Sequence, residues 1–258
     1  MTAFFDFPYN MHLYRAKVDE PTEIGLALKA GTENPNCYYA EQPKIETITM
    51  GSFVGSVKKG GAVNYQKISF TPHGNGTHTE CYGHISDDPE ASFAQLSLAA
   101  FYVCHVISLQ PEKKGKDSVL TLEGLKKALP FVIGDAVAIR TLPNPSSKKT
   151  QDYNGSNPCY LEPEICTWLR KSGVKQLLVD LPSIDPEVDG GKLLAHRNFW
   201  LADGAWRKDA AITELIYIPD SIKDGLYLLN LQIIRLDSDA SPSRPILYPL
   251  SRLSHEPK

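Results

Sequence analysis

TPHGNGTHTECYGHISDD, residues 71–88, holds three of the chain's seven histidines, His73, His78 and His84, within twelve residues, and Glu80 stands between them. Imidazole and carboxylate are the ligand types that hold Zn2+ or Mn2+. If residues 77–81 are extended, the two-residue period of a strand places His78 and Glu80 on one face and Thr79 and Cys81 on the other. Gly74, Gly76 and Gly83 would let the backbone bend so that separated side chains converge. A polar surface loop could carry the same residues, so the stretch alone leaves a metal site and a solvated loop both open.

Before this stretch, residues 45–70 read as β structure, with Lys58-Lys59-Gly60-Gly61 as a hairpin turn and residues 63–70 as the strand that delivers the histidines. The lysine–glycine run is no phosphate loop, since it lacks the following helix and the Lys-Ser/Thr pair. Residues 24–28 read as a short strand, followed by turn signals at Gly31, Asn34, Pro35 and Asn36. Residues 1–20 are aromatic-rich (Phe4, Phe5, Phe7, Tyr9, Tyr14) and irregular, a segment expected to pack on the body or on a partner subunit. His12 there reads as a packing or surface residue. Cys37, Tyr38 and Tyr39 suit a pocket wall or ordinary packing equally.

After it, residues 102–109 form a β run in which His105 reads as a satisfied core histidine. Thr121 caps a helix over LEGLKKAL that ends at Pro130. Residues 136–141 are a buried strand, and residues 142–157 a long exposed loop of the kind that often borders a site. A second helix starts at Glu162-Pro163, with Ile165, Trp168 and Leu169 on one face, and Gly173 ends it before a strand at 176–179. His196 follows Gly190-Gly191. Residues 212–218 read as a strand whose single charge, Glu214, needs a partner if buried. Strands at 226–236 and 246–250 complete the chain. Many strands, few helices, no repeat and no linker predict a mixed, strand-rich α/β fold in one domain, 1–258.

Composition narrows the functional classes. The chain has 258 residues, 42% apolar and 22% charged, as in soluble globular proteins. A net charge of −3 gives no reason to expect a nucleic-acid partner, whose phosphates call for a basic face. Five cysteines without a C-x-x-C argue for a reducing compartment and against a thiolate zinc site. The N-terminus lacks the basic start and apolar run of a secretory signal, and no eighteen apolar residues are consecutive, so a cytoplasmic protein without a membrane span is expected.

Several segments together resemble the cyclase family of metal-dependent hydrolases, which includes bacterial kynurenine formamidases and isatin hydrolases. The family signature is H-x-G-T-H-x-D-x-P-x-H. Here Gly76-Thr77-His78 supplies G-T-H, Glu80 stands at the Asp position and His84 at the final His. One extra residue separates His73 from the G-T-H, Glu replaces Asp, and Tyr82 replaces Pro. Residues 134–141 (GDAVAIRT) resemble the family's G-D-x-V-x-x-R-T strand, and residues 173–185 its G-V…D-x-x-S-I-D segment. His196 and Glu214 stand where the family places its distant His and Glu ligands, and residues 239–245 (DASPSRP) resemble its C-terminal D-A-S-P-x-R. The resemblance spans roughly residues 20–250, in matching order.

The resemblance implies the family's swivelling β/β/α fold and a metal set of His78, Glu80, His196 and Glu214, with His73 as a further ligand. His84 is then the general acid/base, or alternatively a further ligand or an outer hydrogen-bonding partner. The ion would be Zn2+ or Mn2+, one or two of them. Two divalent ions would keep the site electropositive against two carboxylates and a hydroxide, whereas one would be nearly neutralised. Cys81 is a poor nucleophile, having no neighbouring base of its own. Asp180, Ser183 and Asp185 either order a loop near the site or make an ordinary turn. The implied activity is hydrolysis of a C–N bond in a small amide, formamide or cyclic imide/lactam by metal-bound hydroxide. A cyclase or dehydratase, or a non-catalytic metal or small-ligand binding protein, is the alternative. A small-molecule substrate and a homo-oligomer, dimer or tetramer, are the expected partners.

Overall fold

Four parallel strands, apolar on both faces, form the centre of the protein. The structure is a computed structural model, and residues 3–253 are described. Residues 1–2 of the expected N-terminal segment and 254–258 of the expected domain lie outside the described residues. In chain order the elements that frame the site are β1 (Phe4–Tyr9), β2 (His12–Lys17), α1 (Pro72–Asn75), β3 (His78–Glu80), β4 (Phe101–Leu109), α2 (Leu122–Ala128), β5 (Ala136–Thr141), α3 (Pro163–Lys171), β6 (Gln176–Val179), α4 (Leu194–Trp200), β7 (Ala211–Glu214), β8 (Gly225–Ile233) and β9 (Ala240–Arg252).

Strands β4, β5, β6 and β7 run parallel, joined by crossovers that carry α2, α3 and α4. On one side β8 pairs antiparallel with β4, and β9 with β8. On the other side β3 pairs antiparallel with β7. The first residues of β9 also pair with β3, so the ring β9-β8-β4-β5-β6-β7-β3 closes as a seven-stranded barrel. Closure leaves no free edge among these strands. The architecture is the strand-rich mixed α/β fold expected from the sequence.

Side-chain alternation explains the two cores. Ile107, Val137, Ile139, Leu177 and Val179 point outward and meet Leu125, Ile165, Leu169, Phe199 and Trp200 beneath the helices. Cys104, Val106, Ala136, Ala138 and Leu178 point inward and meet Leu229 and Leu247 inside the barrel. Burial on both faces is why these parallel strands read as continuous apolar runs. His105 is a core histidine as expected, its Nε2 accepting the Ile133 N–H at 3.0 Å. Thr121 caps α2, its Oγ1 accepting the Gly124 N–H at 3.1 Å.

Four expectations need correction. The N-terminal segment is not irregular: β1 and β2 form a hairpin whose turn residues, Asn10 and Met11, take φ of 46° and 61°, the left-handed pair that suits a two-residue turn. Residues 24–28 form no ladder, because their backbone groups find partners on different elements: Ile24 N donates to Pro245 O, Ile24 O accepts from Tyr217 N, and Leu26 N donates to Thr77 Oγ1. Residues 45–70 form two small hairpins apart from the barrel, Lys44–Thr47 with Gln66–Ser69 and Thr49–Met50 with Phe53–Val54, and residues 58–61 contribute to a 3-10 turn instead of joining strands. Finally, β7 stops at Glu214 because Leu215, at φ 55°, turns the chain away.

Candidate active site

The histidine stretch enters the barrel wall as β3, and its strand period does what the spacing suggested. His78 and Glu80 share one face, while Thr79 points the other way and its Oγ1 lies 2.8 Å from Thr213 Oγ1. The antiparallel register sets His78 opposite Glu214 on β7. His73 comes from the single turn α1, which houses the extra residue before G-T-H. That turn is held by the buried Asn75, whose Oδ1 accepts the Thr71 N–H at 2.7 Å and whose Nδ2 donates to Glu41 O at 3.1 Å. His84 follows on the 3-10 turn Tyr82–Ile85, and His196 is supplied by α4. Of the three expected flexible glycines, Gly76 is extended at φ 174° and neither of the others has positive φ. Gly74 and Gly83 are needed for close approach instead: a Cβ would sit 2.2 Å from Ala40 Cβ in the first case and 2.1 Å from Ala91 O in the second.

Three histidines each have an outer nitrogen tied to an acceptor and an inner nitrogen aimed at a carboxylate. His78 Nδ1 donates to Gly76 O at 2.9 Å, which leaves Nε2 as a lone pair 3.6 Å from Glu214 Oε2. His196 Nδ1 donates to Asp185 Oδ2 at 2.6 Å, and its Nε2 faces Glu80 Oε1 at 2.9 Å and Glu214 Oε1 at 3.8 Å. His73 Nε2 donates to Asp239 Oδ2 at 2.8 Å, and its Nδ1 faces Glu80 Oε2 at 3.2 Å. The five side chains expected to hold metal are therefore brought together, His73 included despite the extra residue. His84 stands at the rim, with Nδ1 3.3 Å from Asp239 Oδ2 and 3.9 Å from Glu80 Oε2.

The two buried carboxylates are shifted in opposite directions. Burial works against ionised Glu80, but the charges of His84 and His196 and bonds from His196 and His73 hold its carboxyl well below the usual range. Burial, and then the charge of Glu80, pushes Glu214 well above it. Burial draws His196 down, yet Glu80 and Asp185 outweigh it and lift the imidazole to about 10. His73 is lifted likewise to about 10, its bonds to Asp239 and Glu80 overcoming burial. His78, with burial and then the charge of His73 against it, falls to about 4 and stays neutral.

These residues fit a divalent cation. His78 Nε2 is a fully buried lone pair with no hydrogen-bond partner, the state of an imidazole nitrogen that awaits a ligand bond. Each inner nitrogen has a hydrogen-bonded outer partner of the type that orients metal-binding histidines. Donor atoms of His73, His78 and Glu80 lie within 4.8 Å of one another, as do those of Glu80, His84 and His196, and of His73, His84 and Asp239.

Asp239 and Asp185 are the residues whose roles sequence reasoning left unassigned or open. Asp185 orders the site: besides binding His196 Nδ1 it accepts the Ala195 N–H at 2.8 Å and the His196 N–H at 3.1 Å, satisfying the start of α4. Ser183 Oγ accepts the Asp185 N–H at 3.2 Å. Asp180 is buried away from the histidines, accepting the Thr141 N–H and pairing with Lys148 at 2.8 Å, which pins the 142–157 loop. A cleft of about 790 Å3 shares Asp185 with the site and is also lined by Tyr38, Tyr39, Asn157, Tyr160 and Glu187. The aromatic pair and the loop thus border a pocket. Cys81 is fully buried, and burial raises its thiol to about 11, so it is no nucleophile.

Residues 10–186 match the sequence profile of the family described as "Putative cyclase". A kynurenine formamidase of Bacillus cereus is 26% identical over 199 residues, 76% of this chain and 85% of that protein. Another, from a second Bacillus cereus strain, is 25% identical over 237 residues, 90% of this chain and 96% of that protein. Among solved structures, isatin hydrolase A from Labrenzia aggregata superposes with a TM-score of 0.64 at 17% identity, covering 88% of this chain and 93% of that one. A predicted metal-dependent hydrolase from Bacillus stearothermophilus superposes with a TM-score of 0.58 at 17% identity, over 89% of this chain and 98% of that one. The structural likenesses carry the fold, and the profile match over more than half the chain carries the family: this protein belongs to the cyclase family.

Proposed function

We propose that this protein is a metal-dependent hydrolase that cleaves the C–N bond of a small amide, formamide or cyclic imide. The observation that carries the reading is the convergence of three inner imidazole nitrogens, one of them an orphan, on two buried carboxylates. In it, His73, His78, Glu80, His196 and Glu214 hold Zn2+ or Mn2+, as one ion or two. A bound divalent cation supplies Lewis acidity that polarises a carbonyl and acidifies water. Glu80 and Glu214 offset its charge, and Asp185 and Gly76 O fix the rings of His196 and His78. His84 moves the proton that the departing nitrogen needs. It is suited to this by standing at the rim with its side chain 30% exposed, open to both the site and solvent. That placement favours hydrolysis over a closed binding site with His84 turned away. The names of the kynurenine formamidase relatives support an amide or formamide substrate.

The test is metal analysis of the purified protein, followed by a panel of N-aryl formamides, simple amides and cyclic imides. Stoichiometric Zn2+ or Mn2+ with turnover of one C–N class is expected. A metal-loaded protein that hydrolyses none of them, while it cyclises or dehydrates a related compound, would replace this reading. We also infer one domain over residues 1–258, cytoplasmic location and a homo-oligomer, dimer or tetramer, in which residues 1–20 contact a neighbour. The support for assembly is that β1 is a sheet edge whose Phe4 and Phe5 are exposed beside exposed Phe101.

A further inference from the structure

One carboxylate oxygen joins a proposed metal ligand to the proposed proton carrier. Asp239 Oδ2 lies 2.8 Å from His73 Nε2 and 3.3 Å from His84 Nδ1. The two rings are 4.4 Å apart between centroids and tilted by 35°, close enough for one oxygen to reach a nitrogen of each. The backbone holds it there: Asp239 O accepts the Cys81 N–H at 2.9 Å, and the next residue, Ala240, pairs with Glu80 across β9 and β3. Asp239 is thus fixed opposite Cys81, one residue beyond the Ala240–Glu80 pair and next to the turn that carries His84.

A carboxylate oxygen only accepts, so each imidazole must present N–H to it. For His73 this places the proton on Nε2 and leaves Nδ1 facing Glu80 Oε2 at 3.2 Å, toward the other ligands. For His84 it places a proton on Nδ1 and leaves Nε2 as the atom whose proton can come and go. Without Asp239, His73 could flip Nδ1 away from Glu80, and His84 could turn through the space open beside it, since its side chain is 30% exposed.

We propose that Asp239 is the positioning carboxylate of this site, holding His84 so that Nε2 is its working nitrogen and holding His73 with Nδ1 toward the metal ligands. The proposal rests on the hydrolytic reading for what His84 does, but not for how the two rings are held. Asp239 need touch neither substrate nor metal to act in this way.

The experiment uses histidine-15N NMR of the full-length protein, with and without zinc, beside metal affinity and steady-state kinetics. In the wild type, His84 should show a protonated Nδ1, and His73 a protonated Nε2 once zinc is bound. Asp239→Ala should lose the His84 Nδ1–H resonance while leaving the signals of His78 and His196 in place. Zinc affinity and kcat should each fall about 10–100-fold, the range seen when an outer partner of a metal-binding histidine is removed, with KM little changed. Asp239→Asn keeps an acceptor oxygen and should recover part of both losses. If Asp239→Ala does not fold, the Asn variant still decides, because a weaker acceptor must shift the His84 Nδ1–H resonance. An unchanged His84 resonance in either variant would overturn the proposal. So would replacement of that proton on zinc addition, which would make His73, His84 and Asp239 a metal site of their own. If the wild type hydrolyses nothing, the functional reading fails, and the spectra alone still decide the role of Asp239.

Discussion

Asp185 Oδ2 accepts His196 Nδ1–H at 2.6 Å, and the same carboxylate caps the first amides of the helix that carries His196. One side chain therefore sets both the helix and the ring orientation, so its removal should act on the metal through His196. Asp185→Ala should weaken metal binding about 10–100-fold by analogy with other outer-shell carboxylates. Equilibrium competition against a chelator measures it. Affinity within twofold of wild type would show that the helix alone orients His196.

Proton release should accompany metal uptake. In the metal-free protein His73 and His196 are lifted to about 10 by their carboxylate partners, against burial, so both carry an extra proton at neutral pH. Their folded values lie above the ordinary value near 6.5. Their contribution to stability is therefore full below that value and is lost as pH rises through about 10. A cation competes with those protons, so apparent metal affinity should rise across the same window while metal-free stability falls. Calorimetric titration in buffers of different ionisation enthalpy should detect about two protons released near pH 7, or three where Glu214 also gives one up. Zero release would mean that the imidazoles are already neutral.

Glu214 gives the opposite lever. Burial, and then the charge of Glu80, raises its carboxyl well above the usual range, so the metal-free site favours it protonated. Its stabilising effect is full below the unfolded carboxylate value and fades as pH rises through the raised one. Glu214→Gln mimics the protonated form. After chelation this variant should melt less steeply with pH than the wild type and higher at alkaline pH, a difference of 1 kcal/mol appearing as roughly 2–4 °C at this chain length. The same variant should retain little metal by mass spectrometry. Full retention of metal would remove Glu214 from the ligand set, and His196→Ala is the parallel test on the other side of the site.

The parts of this fold that were legible in sequence are those set by local patterning. Residues 136–141 and 176–179 are apolar runs because both faces are buried, and His78 and Glu80 share a face because a strand has a period of two. Barrel closure was not legible, since it depends on Pro242 meeting His78 and Ala240 meeting Glu80 across 160 or more residues. Helix α4 was missed because its cap comes from Asp185, outside the helix, and its preceding residue, Leu193, takes φ 46°. The proposed ligand set was legible as a whole only through the family pattern. Asp239 stood in a quoted segment, but an acid before a strand carries no mark of the two imidazoles it will meet. His73 stands one residue further from G-T-H than in the family pattern, and the one-turn α1 with its buried Asn75 still brings it to Glu80.

Assembly can be tested at the N-terminal hairpin. β1 lies at the end of the sheet, with Phe4 and Phe5 exposed, and Phe4, Phe5, Phe7, Tyr9, Phe101 and Tyr248 line a groove of about 780 Å3. A long apolar edge is a template for pairing with another chain. Sedimentation at micromolar concentration should show a dimer or tetramer, and Phe5→Lys should shift it toward monomer. A wild type that sediments only as monomer would exclude self-association through this edge.

A substitution at His84 tests the proposed proton transfer apart from metal binding. Its ring lies at the rim, 5.4 Å from that of His196 between centroids, and its nearer nitrogen already serves Asp239. His84→Gln should therefore leave metal content intact and lower kcat by about 10²–10⁴-fold, the usual share of general acid/base catalysis. The pH–rate profile should lose the limb that reports this imidazole. Glu80→Asp is the companion, because it restores the family residue while shortening the reach by one methylene. Both Glu80 oxygens are engaged here, Oε1 with His196 at 2.9 Å and Oε2 with His73 at 3.2 Å, and α1 has been built around an extra residue. An aspartate reaches one methylene less far from the same Cα toward both rings, so metal affinity should fall even though the substitution is nominally toward the family pattern. If His84→Gln loses its metal while Glu80→Asp keeps it, the ligand and proton-carrier roles must be exchanged.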